Sequence, residues 1–121
     1  KKVVVANDEE DILRLVADRL VFYGFEVYPV HNGTTCIQRV VEERPDLVVL
    51  DVWMPDINGL EVLSEIRRTQ PDLPVLMISA SVERELVQEC LETGATDFLK
   101  KPFEPHELKE KVFAILGEEA S

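Results

Sequence analysis

The sequence predicts an α/β domain in which an open, doubly wound parallel sheet of five strands is wrapped by five helices. Three observations carry that expectation. Short apolar runs alternate along the chain with segments of helical period. Three of the runs are unbroken and aliphatic, the composition of strands covered on both faces. Glycines and prolines stand at the joints between runs and periodic segments. With 121 residues the chain has the length of one domain, taken as residues 1–121, and it can bury a core without staples.

The first strand is Val3-Val4-Val5-Ala6, and a helix follows with a stripe of Ile12, Leu13, Val16, Ala17 and Leu20, closed by Gly24. The second strand, Glu26-Val27-Tyr28-Pro29-Val30, carries a charge and a proline; proline removes a ladder donor, so this strand belongs at an edge. Cys36, Ile37, Val40 and Val41 make the second helical stripe, which Pro45 stops. Leu47-Val48-Val49-Leu50 is the third strand, and Val62, Leu63 and Ile66 mark the third helix, halted by Pro71 and Pro74. Val75-Leu76-Met77-Ile78 is the fourth strand, followed by a helix with Leu86, Val87, Cys90 and Leu91 inward and Gly94 at its end. Phe98-Leu99 is a short second edge, and Leu108, Val112, Ile115 and Leu116 define the last helix. Strict alternation with right-handed crossovers makes the sheet parallel, and placing the two weak strands at the edges suits the flavodoxin-like order 2-1-3-4-5.

Charge and cysteine usage narrow the function. Asp and Glu number 24 against 13 Lys and Arg, a formal net charge of -11, which repels phosphate backbones and argues against direct nucleic-acid binding. No apolar run approaches the ~20 residues that span a bilayer, so no membrane association is expected. Cys36 and Cys90 have no metal-ligand spacing and fall in apolar stripes; they read as buried thiols, in keeping with a reducing, cytoplasmic setting.

Ligands of such sheets bind outside the carboxyl ends of the strands, at the switch between the first and third. Just past those ends the sequence places Asn7, Asp8 and Glu9, then Asp51, then Ser79, then Lys100-Lys101-Pro102. Asp8 and Asp51 fall on neighbouring strands, and two carboxylates ~4 Å apart repel by about 4 kcal/mol at an effective dielectric of 20. A hard divalent ion such as Mg²⁺ relieves that repulsion. A carboxylate so placed can attack a phosphoryl group when a cation and donors neutralise the transferred charge, and here Ser79 supplies a hydroxyl and Lys101 an ammonium.

From end to end the chain resembles the receiver domains of two-component response regulators. The resemblance lies in Val3-Val4-Val5-Ala6-Asn7-Asp8-Glu9-Glu10-Asp11, in Pro45 to Pro55 with Asp51 at its centre, in Asn58-Gly59, in Met77-Ile78-Ser79-Ala80, and in the run from Gly94 to Phe103. It implies a signalling switch rather than an enzyme. Asp51 would accept a phosphoryl group from a histidine kinase or a histidine phosphotransfer protein. Mg²⁺ would be held by Asp8, Asp51 and the Trp53 backbone carbonyl. Ser79 and Lys101 would contact the phosphoryl oxygens, and a cis bond would join Lys101 to Pro102. Ser79 and Phe98 would form the switch, remodelling the surface of the fourth helix, fifth strand and fifth helix, residues 82–116. That surface would control an output domain or effector outside this chain, or pair two copies as a homodimer. The family usually has two acids after the first strand, whereas here the first is Asn7. Its amide oxygen can still reach the metal through water, at the cost of one charge and of some Mg²⁺ affinity. Glu9 either compensates or simply favours the helix N-terminus.

Two rivals remain. A phosphatase of the haloacid dehalogenase type needs a second acid two residues past the nucleophile, where this chain has Trp53. A degenerate receiver that docks partners without being phosphorylated draws its support from Asn7.

Overall fold

The computed structural model describes residues 1–81 and 83–117. Residue 82, the first of the expected output surface, and residues 118–121 of the expected domain lie outside the described residues. The strands are β1 (Lys2–Ala6), β2 (Glu26–Val30), β3 (Leu47–Asp51), β4 (Val75–Ser79) and β5 (Asp97–Lys100), all parallel in the order β2-β1-β3-β4-β5. Between and after them run α1 (Glu10–Phe22), α2 (Gly33–Glu43), α3 (Gly59–Thr69), α4 (Arg84–Thr93) and α5 (Pro105–Leu116). The expected fold class and strand order are those observed, with β2 and β5 at the edges.

The period-2 alternation of side chains divides each central strand between two cores. Val4, Ala6, Val48, Leu50, Val75 and Met77 face α2, α3 and Cys90 of α4. Val3, Val5, Leu47, Val49, Leu76 and Ile78 face α1 and α5. Every residue of β3 and β4 is buried, which is why these strands read as unbroken apolar runs. Gly24, at φ +98°, lets the chain turn from α1 into β2, and Gly94, at φ +116°, ends α4 as expected. Cys36 and Cys90 are buried and unpaired, and burial pushes the Cys36 thiol up to about 12, so it stays protonated.

Three helical stripes differ in detail from expectation. Val41 is exposed: α2 buries the line Gly33, Cys36 and Val40, and Val41 extends the marginal row begun by half-buried Ile37. On α4 only Cys90 is fully buried and Leu91 is exposed, because this helix rests on the core along a single line of contact. On α5, Phe113 joins Leu108 and Val112 in the core, its ring packed at a tilt 5.7 Å from Phe25 and 5.8 Å from Tyr23, while Ile115 and Leu116 are half-buried.

The loop after β3 is clasped to the start of α2. Asp56 accepts hydrogen bonds from the Thr34 hydroxyl (2.6 Å), the Thr34 N–H (2.9 Å) and the Gly33 N–H (2.9 Å). Those donors, the Thr34 hydroxyl first, hold the Asp56 carboxyl far below the usual carboxylate range. A depressed folded-state pKa adds stability above the unfolded value of about 3.9, and that stability is lost as pH falls below it. Asp56→Ala is therefore expected to unfold at a lower temperature than the wild type at pH 7, with the gap narrowing below about pH 4. Thermal melts at pH 7 and pH 3 check this, and a gap of equal size at both would contradict it.

Candidate functional site

The carboxyl ends of β1, β3, β4 and β5 bring the expected residues to one rim. Asp51 closes β3 and Ser79 closes β4, and Asp51 is in register with Ile78, Ser79 with Lys100. Ladder bonds continue past the strand ends and fix the following residues. The Asn7 N–H donates to Val30 O (3.1 Å), the Val52 N–H to Ile78 O (3.0 Å) and the Lys101 N–H to Ser79 O (2.8 Å). The Lys101-Pro102 bond is cis, as expected. Among the described residues, the buried polar side chains are Asn7, Asp51 and Ser79, all three at this rim. Burying polar groups costs free energy, and a fold that gathers them at one place invests in a site there.

Asp51 is 3% exposed. Among the described residues its Oδ1 is the buried side-chain nitrogen or oxygen left without a hydrogen bond; Lys101 Nζ stands 3.4 Å away as an ion-pair partner. Lys101 Nζ also lies 3.3 Å from Glu9 Oε1. Burial pushes the Asp51 carboxyl above its ordinary value, Lys101 pulls it down, and Asp8 and Glu9 push it up again. One carboxylate oxygen each of Asp8, Glu9 and Asp51 lies within 4.8 Å of the others. Three carboxylates against one ammonium leave an excess of negative charge, and the all-oxygen donor set suits a hard divalent ion. The orphaned Asp51 oxygen within that set fits Mg²⁺, the ion that the resemblance implies.

The other expected residues take more particular places. Ser79 Oγ accepts from the Ser81 N–H at 3.1 Å, a contact that sequence spacing does not announce. Asn7 Oδ1 accepts from the Glu9 N–H at 2.9 Å, so the amide shapes the β1–α1 loop. Asp8 is exposed at the rim, and Trp53, 59% exposed, stands in the loop two residues past Asp51. Phe98 on β5 is half-buried against the α2–α3 side of the sheet, and the neighbouring Asp97 pairs with Lys111 of α5 at 3.0 Å. His106, near the start of α5, is exposed. His31 follows the carboxyl end of edge strand β2, exposed and 2.5 Å from Glu10 Oε2. Asn58 caps α3, its side chain accepting from the Glu61 N–H at 3.0 Å. Gly59 then packs its backbone directly on Asp51 and Val52, its N–H 2.6 Å from Val52 O. These two contacts explain the Asn58-Gly59 pair.

Comparison with known proteins agrees with this geometry. Residues 3–113 match the family model described as response regulator receiver domain. The chain is 38% identical over 116 residues to the alkaline phosphatase synthesis transcriptional regulatory protein PhoP of Bacillus subtilis, covering 96% of this chain and 48% of that protein. It is 42% identical over 112 residues to the regulatory protein VanRc of Enterococcus gallinarum, covering 93% and 48%. The chain thus spans about half the length of the curated relatives it matches. Among solved structures, the chemotaxis protein CheY4 of Vibrio cholerae superposes with a TM-score of 0.91 at 30% identity, covering 95% of this chain and 98% of that one. The receiver domain of NtrX from Brucella abortus superposes at 0.90 with 33% identity, covering 97% and 99%. No helix among the described residues is long and apolar enough to cross a membrane.

Proposed function

Because the chain belongs to the response regulator receiver domain family, we propose that it is a phosphorylation-dependent switch with Asp51 as the phosphoacceptor. The observation that carries this reading is the buried Asp51 oxygen without a hydrogen bond, facing Lys101 at a rim shared with Asp8 and Ser79. An ionised Asp51 oxygen bonds to phosphorus as the P–N bond of a phosphohistidine breaks, and the departing imidazole takes up a proton. Asp8, Asp51 and the Trp53 carbonyl would hold Mg²⁺, with Asn7 reaching it through water. Bound there, the ion neutralises charge on the transferred group. Lys101 pairs with one phosphoryl oxygen and the Ser79 hydroxyl donates to another.

The chain is an acceptor, not an enzyme with turnover. Its phosphodonor is a histidine kinase or histidine phosphotransfer protein in the cytoplasm. Phosphorylation draws Ser79 from its bond with Ser81, and Phe98 moves toward the vacated space. The α4–β5–α5 surface then shifts between two populations. The exposed Leu91 and the single buried residue of α4 support a surface that repacks at low cost. The readers of that surface are an output domain or an effector protein outside this chain, or a second copy in a homodimer. A docking-only role draws on Asn7 alone, whereas the meeting of Asp51, Ser79 and Lys101 at one rim supports phosphorylation.

Beryllofluoride with Mg²⁺, a phosphoryl mimic, tests the switch. Amide hydrogen exchange over residues 83–116 is expected to change in the wild type and to stay unchanged in Asp51→Asn. Unaltered exchange in the wild type would contradict it.

A further inference from the structure

Glu9 is the N-cap residue of α1, yet its side chain caps no backbone N–H. An acid serving only the helix terminus would turn toward those donors. Its backbone N–H is instead held by Asn7 Oδ1 at 2.9 Å, and its carboxylate lies 3.3 Å from Lys101 Nζ and within the 4.8 Å group formed with Asp8 and Asp51. The next acid along, Glu10, faces elsewhere, toward His31 and Arg14. Inside the group, the buried Asp51 Oδ1 lacks a hydrogen bond. One ammonium cannot balance three carboxylates, and Lys101 is shared between two of them.

We infer that Glu9 is a third carboxylate of the cation site, directed there by Asn7, so that the site keeps its charge although Asn7 itself is neutral. This rests on the reading of the site as Mg²⁺-binding. Glu9 is a charge-supplying residue: half exposed, it acts on the ion directly or through water, and it gives up Lys101 when the ion enters.

Calorimetric titration of MgCl₂ into the protein tests this without any phosphoryl donor. Glu9→Gln is expected to weaken Mg²⁺ binding roughly tenfold, the effect of removing one solvent-screened charge beside a divalent ion. Glu10→Gln, which removes the same charge one residue away, is expected to bind as the wild type does. Asn7→Asp added to Glu9→Gln is expected to restore the affinity, a rescue that a merely structural role would not give. The inference is overturned if Glu9→Gln binds like the wild type, or loses no more than Glu10→Gln. Absence of Mg²⁺ binding in the wild type as well as the variants would instead overturn the reading of the site, and the inference with it.

Discussion

Gly59→Ala is expected to destabilise the fold by about 3 kcal/mol, the upper part of the range for forcing a group into packed surroundings. A Cβ at this position would lie 2.3 Å from Asp51 O, 2.8 Å from Val52 Cα and 3.1 Å from Asp51 C. All three neighbours are backbone, so no rotamer relieves the clash. The first turn of α3 must lift from the end of β3, which stretches the Gly59 N–H bond to Val52 O and moves Asp51, the proposed acceptor. The unfolding midpoint should fall by about 10 °C for a domain of this size, and phosphorylation of Asp51 should slow. Gly24→Ala is the informative contrast. There a Cβ meets nothing within 4 Å and the strain comes from φ +98° alone, so a loss of about 1 kcal/mol is expected. Equal losses at the two positions would show that the Gly59 contact is not the cause.

Asp51→Asn should have opposite effects on stability and function. Asp51 is buried, and its charge is opposed by burial and by Asp8 and Glu9, with Lys101 as the counterweight. Ionising an acid held above its ordinary pKa costs the fold free energy. The isosteric amide removes one of the clustered charges and fills the same space, and a higher unfolding midpoint than that of the wild type is expected without metal. The same change removes the proposed nucleophile, so phosphorylation is expected to be lost. Stability sacrificed at a reactive site is common among proteins. A variant less stable than the wild type in metal-free buffer would show that the Lys101 pairing outweighs the repulsion.

The sheet was legible because β1, β3 and β4 are buried on both faces and advertise themselves as unbroken Val, Leu and Ile runs, while Pro29 marks an edge. The gathering of Asn7, Asp8, Asp51, Ser79 and Lys101 at one rim was legible as well, because strand ends project their next polar side chain onto one rim in any parallel sheet. What the sequence concealed depends on pairs far apart in the chain. Asp56 and Thr34 are separated by 22 positions and nothing local marks their clasp; likewise Lys101 and Glu9 are separated by 92. The exposure of Val41 and Leu91 escaped periodicity for another reason. A stripe reports that one face is apolar, not how much of its margin a neighbouring element covers.

The central claim is that Asp51 is the acceptor. Intact-mass measurement after incubation with acetyl phosphate and Mg²⁺ tests it directly. The wild type should gain about 80 Da, the mass of one phosphoryl group, and should gain nothing without Mg²⁺, while Asp51→Asn should gain nothing under either condition. An adduct that persists in Asp51→Asn, or one that never forms on the wild type, would contradict the assignment.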